Sequence, residues 1–470
     1  GNVMWITLDK NTAISLSRQI YYQIKNLILV GSLTENDKLP SSRELSRELN
    51  VSRNTILEAY DQLIAEGYLQ GYQGSKTVVA KGISKYNIPV SLHKDTPVDT
   101  EVNSKHKLID FRSGVPDLAQ YPKKEIGKLY QVTCNELPSK AFLYHNPAGV
   151  MELRKAIANY LFRTRGISCN TDHIMIVSGS TQGLSIISRL LYEKNKEVLM
   201  EDPTHHGLMN VISKIGFTIT GITTDDYGIN TNFLKPSRHV AFIYTTPSHQ
   251  YPLGGILPIQ RRLALIRYAI ENDCYIVEDD YDSEFRYEGS PISSLYELNP
   301  QKIIYIGTFS KILSPSIRLG YLILPPELVT PYLELKKYSD VHTESLSQYV
   351  LAKFIENGGL EKNIFKMRKI YSKKRQHLIN ELNDNFPNEF EIKGQSAGLH
   401  LIIKFKQVIF NKDLADKIYL NNVKVYPVGN YEYQNMGNHK NEVLLGYAHL
   451  EYKEITDGIK ILSQIIHNIF

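Results

Sequence analysis

Six short, continuous apolar runs between residues 174 and 324 constrain the fold of this chain more than any other feature of its sequence. Runs of this kind are typical of strands that are buried on both faces of a mostly parallel sheet. Helical patterns lie between them, for example over residues 182–193 and 261–272. This alternation predicts an α/β fold. The six runs are Ile174–Val177, Glu197–Met200, Val240–Tyr244, Tyr275–Glu278, Ile303–Ile306 and Tyr321–Leu324.

Residues 14–67 show a different pattern, with three amphipathic helices in succession. Ser41 and Glu44 have the spacing of a capping box at the start of the second helix, and Ser52 can cap the third. The short break between these two helices is typical of a helix-turn-helix. Residues 68–80, which alternate around two glycines, are predicted to form a two-stranded wing.

The length of the chain requires more than one domain. Its 470 residues exceed the roughly 250–300 residues at which a single hydrophobic core stops growing. Residues 81–107 are polar and lack a helical period, and we interpret them as a linker. We therefore expect a winged helix-turn-helix over residues 4–80, the linker over 81–107 and an α/β domain over 108–470.

Composition argues against several classes of protein. No apolar run approaches the about 18 residues that span a bilayer, and residues 1–10 lack the regions of a signal peptide, so we expect a cytoplasmic protein. Cys134, Cys169 and Cys274 are unclustered, which argues against a disulfide framework and a metal site. Residues 1–80 contain equal numbers of acidic and basic side chains, so charge alone does not indicate binding to nucleic acid.

Lys311 directly follows the predicted strand Ile303–Ile306 and a short loop. A lysine at the end of a buried strand can be desolvated and kept nucleophilic, which is the condition for forming an imine with an aldehyde. The hydroxyls of Thr308 and Ser310, together with the guanidinium of Arg318, can hold a phosphate dianion. Taken by itself, the same stretch is also compatible with a loop that carries an exposed lysine.

Two further strand ends carry matching groups. Asp279 ends a predicted strand, where a carboxylate suits the pyridinium nitrogen of pyridoxal 5'-phosphate (PLP), and the phenol of Tyr281 suits its ring oxygen. Ser180 and Thr181 open a helix that follows another strand, which is a natural phosphate site. The acidic cluster over residues 278–282 is by itself also compatible with a solvated or metal-binding loop. The three strand ends together predict a PLP site.

The helix-turn-helix segment resembles the GntR family of regulators. Leu39 through Thr55 match the pattern L-P-S-x-R-x-L-x-x-x-L-x-V-S-R-x-T, and the resemblance implies a recognition helix whose first turn contacts bases in the major groove. The alternative is that the arginines of this segment only solvate helix faces. The residues expected to bind double-stranded operator DNA are Arg43, Ser52, Arg53, Asn54, Thr55, Gly74, Ser75 and Lys76.

The remainder of the chain resembles the fold-type-I aminotransferases. A GntR-like head joined to such a domain resembles the MocR subfamily of GntR regulators. The resemblance extends over nearly the whole chain, and it implies an N-terminal winged helix-turn-helix plus a C-terminal α/β fold-type-I PLP-dependent aminotransferase-like domain. Further segments that carry it are residues 111–117, 144–149, 246–252 and 397–400.

This resemblance implies roles for individual residues. Lys311 is expected to form an internal aldimine with PLP, Asp279 to pair with the pyridine nitrogen and Tyr281 to contact the ring oxygen. His205 lies where the family stacks an aromatic ring on the cofactor. The resemblance also implies a homodimer, head-to-tail with swapped heads, on an operator with two half-sites. The implied phosphate ligands are Ser180, Thr181, Thr308, Ser310, Arg318 and, reaching the neighbouring subunit, Tyr144.

The chain departs from the family pattern in two places. Tyr251 stands where aminotransferases usually carry an asparagine that contacts the ring oxygen. Regulators that respond to 4-aminobutyrate, of the GabR type, hold the effector carboxylate with two arginines. The corresponding segments of this chain, residues 206–207 and 428–431, contain no arginine. Each missing guanidinium is worth about 1.5–3 kcal/mol of binding free energy. Lys424 or Lys440 can substitute only as a point charge.

The missing arginines favour a sensor of PLP itself, resembling the PdxR type of regulator that controls vitamin B6 synthesis genes. Two alternatives stay open. One is a GabR-like regulator that responds to an amino acid through an external aldimine, and the other is an active PLP-dependent aminotransferase with a vestigial head.

Overall fold

The structure is a computed structural model that describes residues 6–71, 76–86, 107–434 and 436–468. The chain divides into two compact units, Gly1–Asn103 and Ser104–Phe470. Gly74 and Ser75, two of the predicted DNA-binding residues, lie outside the described residues, as does most of the predicted linker over 81–107.

Three helices and a two-stranded antiparallel ribbon form the first unit, as the sequence predicts. Both hydrogen bonds of the capping box between Ser41 and Glu44 are made, and the hydroxyl of Ser52 accepts a hydrogen bond from the backbone amide of Thr55 at 3.2 Å. The apolar faces of the helices meet in a small core around Leu45. The elements are α1 (Leu16–Leu29), α2 (Ser42–Leu49), α3 (Arg53–Ala65), β1 (Leu69–Gln70) and β2 (Val78–Val79).

The second unit alternates strands and helices. Its strands are β3 (Ile109–Asp110), β4 (Ile174–Val177), β5 (Glu197–Asp202), β6 (Thr218–Asp225), β7 (Gly228–Ile229), β8 (Val240–Thr245), β9 (Tyr275–Asp280), β10 (Ile303–Thr308), β11 (Gly320–Ile323), β12 (Phe390–Lys393), β13 (His400–Phe405), β14 (Val423–Lys424), β15 (Tyr426–Pro427) and β16 (Glu442–Gly446). Its α-helices are α4 (Lys123–Glu136), α5 (Met151–Arg165), α6 (Ser180–Leu191), α7 (His206–Ile215), α8 (Ile259–Glu271), α9 (Pro326–Asp340), α10 (Ser345–Glu356), α11 (Gly359–Asn385), α12 (Lys412–Leu420) and α13 (Tyr452–His467).

An eight-stranded sheet in the order β4-β11-β10-β9-β8-β5-β6-β7 forms the centre of this unit. The neighbours from β10 to β6 pair in parallel, while β11 and β7 run antiparallel to theirs. All six apolar runs of the sequence are strands of this sheet, and the mostly parallel α/β fold is therefore confirmed. In the part of the chain that the structure describes, no helix combines the length and apolar character needed to cross a bilayer.

A smaller antiparallel sheet in the order β12-β13-β16-β15 lies in the C-terminal part of the same unit. The short strand β3 pairs in parallel with β14, and the chain beyond β3 passes close to β16. A Cβ at Gly446 would come within 2.0 Å of the backbone oxygen of Arg112, so only glycine permits this approach. The backbone of residues 109–112 is therefore held against the C-terminal part of the unit.

Strands β4, β5, β9 and β10 of the large sheet all run in one direction, so their carboxyl ends meet at one edge. Ligands of open α/β sheets bind at this edge. The segments with Ser180, His205, Asp279 and Lys311 each end or follow one of these strands. The fold thus brings the four predicted segments to one place.

Candidate cofactor site and DNA-binding surface

A cavity of about 650 Å³ opens at this edge of the large sheet. It brings together all of the residues predicted to bind the cofactor except Tyr144, although they lie far apart in the sequence. The predicted residues that line the cavity are Ser180, Thr181, His205, Asp279, Tyr281, Thr308, Ser310, Lys311 and Arg318.

Lys311 lies in the loop that follows β10, with its amine against the backbone of Gly114. A Cβ at Gly114 would come within 2.6 Å of Nζ, and Gly114 also has a φ of +74°, so glycine alone leaves room for the amine without backbone strain. Burial lowers the pKa of Lys311, although Asp282 and Asp279 act in the opposite direction. The amine is therefore easier to deprotonate, which a nucleophile requires.

Asp279 is buried near the end of β9. Its carboxylate accepts a hydrogen bond from the hydroxyl of Tyr244 on β8. Burial raises the pKa of Asp279 to about 6, while the bond from Tyr244 and the charge of Lys311 act to lower it. A desolvated carboxylate in this position is a strong acceptor for a cationic N–H group. Sequence reasoning missed Tyr244, because it is the last residue of an otherwise apolar run.

Tyr281 is joined to a histidine and a second carboxylate. Nδ1 of His249 lies 3.0 Å from the hydroxyl oxygen of Tyr281 and 3.1 Å from both carboxylate oxygens of Asp282. Burial, followed by the charge of Asp282, raises the pKa of Tyr281 well above its ordinary value, so the phenol stays protonated. The sequence places His249 in a family segment but gives no sign of this contact, which joins positions 32 residues apart.

The first turn of α6 and the guanidinium of Arg318 form a recess in the wall of the cavity. Gly179 precedes the helix and supplies no side-chain cap, so the backbone amides at the start of α6 are open to a ligand. A Cβ at Gly179 would come within 2.2 Å of Nη2 of Arg318, and that nitrogen donates a hydrogen bond to the backbone oxygen of Ser178 at 3.1 Å. Helix amides and a guanidinium together favour a dianion.

His205 and Tyr144 have different positions relative to the cavity. His205 lies at the start of α7, where its Nδ1 accepts a hydrogen bond from the backbone amide of Leu208 at 3.3 Å. Burial lowers the pKa of His205, so its ring is neutral and can stack on an aromatic ligand. Tyr144 is 84% exposed, and its ring lies 6.2 Å from that of His342, outside the cavity of its own chain.

The two departures from the family pattern have structural counterparts. Tyr251 lines the cavity, and its hydroxyl lies 2.8 Å from the hydroxyl oxygen of Ser113. Among the described lining residues, neither Lys424 nor Lys440 occurs. The cavity does contain one guanidinium that sequence reasoning assigned no role, that of Arg112. The signal available in the sequence was its place in the segment over residues 111–117 that carries the family resemblance.

Arg43, Arg53 and Asn54, three of the predicted DNA-binding residues, lie in the first turns of α2 and α3. Arg53 and Asn54 are exposed in the first turn of α3, and Arg43 is exposed on α2. Nε of Arg53 donates a hydrogen bond to the hydroxyl of Ser42 at 3.0 Å, so this exposed side chain reaches from α3 to the start of α2. Lys76, after the undescribed part of the wing, is exposed.

Ser52 and Thr55 stabilise the first turn of α3. Their hydroxyl oxygens lie 2.7 Å apart, and Ser52 caps α3. These two hydroxyls therefore contribute to the start of the helix, whether or not they also contact DNA.

Comparison with known proteins identifies both units. Residues 16–79 match the family described as bacterial regulatory proteins of the gntR family, and residues 106–441 match aminotransferase class I and II. The pyridoxine biosynthesis transcriptional regulator PdxR of Corynebacterium glutamicum is 32% identical over 85% of this chain and 85% of its own length. The probable rhizopine catabolism regulatory protein MocR of Rhizobium meliloti is 28% identical over 97% of this chain and 95% of its own.

Solved structures similar to this chain are aminotransferases. Kynurenine aminotransferase of Pyrococcus horikoshii superimposes with a TM-score of 0.71 and 27% identity, covering 78% of this chain and 92% of that one. The aminotransferase domain and these neighbours imply PLP as the cofactor. The cavity fits this group, since it offers a desolvated amine for the aldehyde, a buried carboxylate for the ring nitrogen and a recess for the phosphate.

Both units of the chain thus match the two parts of one kind of regulator. GntR-type helix-turn-helix proteins bind operator DNA, and the aminotransferase-like domain binds PLP. The chain belongs to the MocR subfamily of GntR-type transcriptional regulators, in which a DNA-binding winged helix is joined to an aminotransferase-like domain.

Proposed function

We propose that this regulator senses PLP and controls genes of vitamin B6 synthesis, in line with the role for which its Corynebacterium relative is named. One observation carries the proposal. The cavity contains each group that PLP requires, whereas residues 206–207 and 428–431 contribute no guanidinium to hold an effector carboxylate. Only the phenol of Tyr431 reaches the cavity from the second of these segments.

Different residues of the cavity hold different parts of the cofactor. Bound PLP supplies an aldehyde that condenses with an amine and a ring that withdraws electrons. The amine of Lys311 is the covalent attachment point, and its lowered pKa makes the neutral form accessible. Asp279 holds the proton on the ring nitrogen, Tyr281 donates to the ring oxygen and His205 covers one ring face. The phosphate ligands are Ser180, Thr181, Thr308, Ser310 and Arg318, with Tyr144 contributed by the partner of a homodimer.

The first unit reads the operator through α3. Arg53 and Asn54 reach base edges in the major groove from the first turn of the helix, where Ser52 and Thr55 also face the DNA. Arg43 and the wing residues Gly74, Ser75 and Lys76 contact phosphates or the minor groove. A head-to-tail homodimer with swapped heads presents two such surfaces to two half-sites in the cytoplasm.

Sensing requires that PLP binds two states of the dimer with different affinities, because a ligand shifts an equilibrium only by its differential affinity. The test is a gel shift with DNA from upstream of the protein's own gene, using apoprotein and PLP-loaded protein. We expect the fraction of bound DNA to change on loading, and pyridoxal without the phosphate to act far more weakly. Identical binding curves for apoprotein and loaded protein would refute the proposal.

A regulator that responds to an amino acid is the second candidate, and Arg112 is the observation that favours it, because this guanidinium lies in the cavity beside the cofactor groups. The two candidates differ in the gel shift. An effect of an amino acid on PLP-loaded protein, without any effect of PLP on apoprotein, would select the second.

A further inference from the structure

Lys336, on α9, has a side chain that is 0% exposed, and lysines are almost never fully buried unless they are paired. Its Nζ donates hydrogen bonds to Oδ1 of Asp340 at 2.5 Å and to Oγ1 of Thr343 at 3.0 Å. None of these three residues is among the described residues that line the cavity. A charge is costly to bury, and the groups assigned to the cofactor so far do not explain this one.

Hydrogen bonds lead from this lysine to the recess formed by the first turn of α6 and Arg318. The second carboxylate oxygen of Asp340 accepts from Nε2 of Gln182 at 2.7 Å. Oε1 of Gln182 accepts from the backbone amide of Ser178 at 2.8 Å, and the backbone oxygen of Ser178 accepts from Nη2 of Arg318. Ser178 directly precedes Gly179, which caps α6. The bonds therefore end at the peptide units of the recess.

A second and shorter route passes through Thr343. The hydroxyl of Ser178 donates to Oγ1 of Thr343 at 3.4 Å, and the same oxygen accepts from Lys336. Ser178 is thus held twice, by Gln182 at its backbone amide and by Thr343 at its side chain. Both routes start at the amine of Lys336, so this one group orders both supports of the recess.

The turn between Asp340 and Thr343 is strained. Val341 has a φ of +68° and a ψ of −61°, and the amide of His342 donates to the backbone oxygen of Asp340 at 2.8 Å. This is a γ-turn of the rare, strained kind, and a β-branched residue at positive φ is a genuine outlier. Such conformations persist only where the surroundings impose them, and they cluster at functional sites. Lys336 imposes this one, because its amine holds the residues on both sides of the strained pair.

We propose that Lys336 is a positioning residue for the cofactor phosphate. By holding Asp340 and Thr343, it fixes Ser178 and thereby sets the spacing between the first turn of α6 and the guanidinium of Arg318. The proposal rests on the proposed PLP site, and it adds a determinant of the preference of that site for a phosphorylated ligand. Lys336 itself does not touch the ligand.

The test compares PLP with pyridoxal, which lacks the phosphate. The Kd of each for full-length apoprotein is measured by the absorbance of the lysine-bound ligand. In Lys336→Gln we expect the preference for PLP over pyridoxal to fall by about 10-fold, the effect of about one hydrogen bond, with the Kd of pyridoxal unchanged. A general loss of stability would not change this ratio, because both ligands bind the same folded protein.

Lys393→Gln is the matched control. Lys393 lies on β12 with a side chain that is 15% exposed, and its amine pairs with Glu442 at 2.7 Å and with Asp226 at 3.0 Å. None of these three residues is among the described residues of the cavity wall. Lys393→Gln also removes a lysine that is largely buried and paired, and it should leave the ratio of the two Kd values at the wild-type value.

Gln182→Leu cuts the next link and leaves the buried ion pair of Lys336 intact. It should lower the preference for PLP in the same direction, so it tests the route even if Lys336→Gln does not fold. The double variant should lose less than the product of the two single losses, because both substitutions act through Ser178.

Inorganic phosphate provides a second readout, because it probes the recess without the ring or the aldehyde. It should compete with PLP for wild-type apoprotein, and its inhibition constant should rise by about the same factor in Lys336→Gln as the Kd of PLP does. Its inhibition constant should stay at the wild-type value in Lys393→Gln.

The proposal would be overturned if Lys336→Gln and Gln182→Leu kept the wild-type preference for PLP, or if Lys393→Gln lowered it equally. A wild type that binds pyridoxal as tightly as PLP would refute the recess as a phosphate site, and the positioning role with it. Operator binding by apoprotein and PLP-loaded protein is measured in the same preparations. Identical operator curves, with the Lys336-dependent preference for PLP retained, would refute the proposed function alone.

Discussion

The two functional regions of this chain place their polar side chains in opposite environments. Arg43, Arg53 and Asn54 are exposed on short helices, whereas Asp279 and Asp282 are buried at the end of a strand. A surface that reads DNA needs outward side chains at the right helical positions. A cofactor site needs charged groups that are desolvated and fixed against each other. Substitutions in the first region should therefore change DNA binding alone, and those in the second should change ligand binding and proton affinities.

Lys311→Ala should abolish the covalent attachment of the cofactor. The variant loses the only amine that we place in the cavity, so borohydride reduction followed by mass spectrometry should find no cofactor on the protein. Lys460→Ala, on an exposed position of α13, should label as the wild type does. Operator binding by the cofactor-free variant should equal that of wild-type apoprotein. A reducible attachment to another lysine in Lys311→Ala would contradict the assignment.

Leu45→Ala should destabilise the core of the first unit and thereby weaken DNA binding. Leu45 is 0% exposed on α2, and removing such a side chain costs about 2–5 kcal/mol of unfolding free energy. Denaturant unfolding should show the loss in the first unit, with weaker operator binding and an unchanged cofactor band. Leu420→Ala, at a leucine that is 80% exposed, should change the free energy by less than about 0.5 kcal/mol. If both variants lost a similar amount of unfolding free energy, the placement of Leu45 in the core of the first unit would be wrong.

Arg53→Ala tests the surface itself with the fold intact. If Arg53 reads a base edge, its removal should weaken operator binding by about 1–3 kcal/mol and relax discrimination at one base pair. Fluorescence anisotropy with operator variants measures both quantities. If Arg53 contacts only phosphate, affinity should fall equally for every sequence and its salt dependence should flatten. The cofactor band should not change, and unaltered DNA binding would exclude this placement of α3.

Tyr244→Phe should give the smallest effect, on the pH dependence of PLP binding. Asp279 must be ionised to pair with the ring nitrogen, and its pKa is raised to about 6, so the affinity of apoprotein for PLP should fall as the pH drops through this value. The Tyr244 hydrogen bond lowers this pKa, so its removal should move the midpoint upward, by less than about one unit. Asp279→Asn serves as the control. This variant lacks the titrating carboxylate, so the pH dependence that remains in its PLP affinity comes from the titration of PLP itself. Equal midpoints in Tyr244→Phe and the wild type would contradict the role of the bond.

The same contrast explains what the sequence predicts and what it does not. The head could be predicted almost completely, because caps such as Ser41 and Ser52 and the residues they order lie within one helical turn. The strands and the segments with Asp279 and Lys311 were also predictable, since buried runs end at one edge of a parallel sheet. His249 and Tyr244 were missed because their partners are brought together only by sheet pairing. Arg112 was missed because its place in the cavity depends on the close approach of Gly446.

A regulator that senses PLP must couple its cofactor site to its DNA-binding surface, and linkage makes this coupling measurable from either side. If PLP changes operator affinity by some factor, operator must change PLP affinity by the same factor. The measurement is the Kd of PLP for the wild-type apoprotein, with and without saturating operator DNA, by the absorbance of the lysine-bound cofactor. If the two regions are coupled, the two Kd values should differ, and their ratio should equal the effect of PLP on operator binding. A single Kd, unchanged by operator, would contradict it.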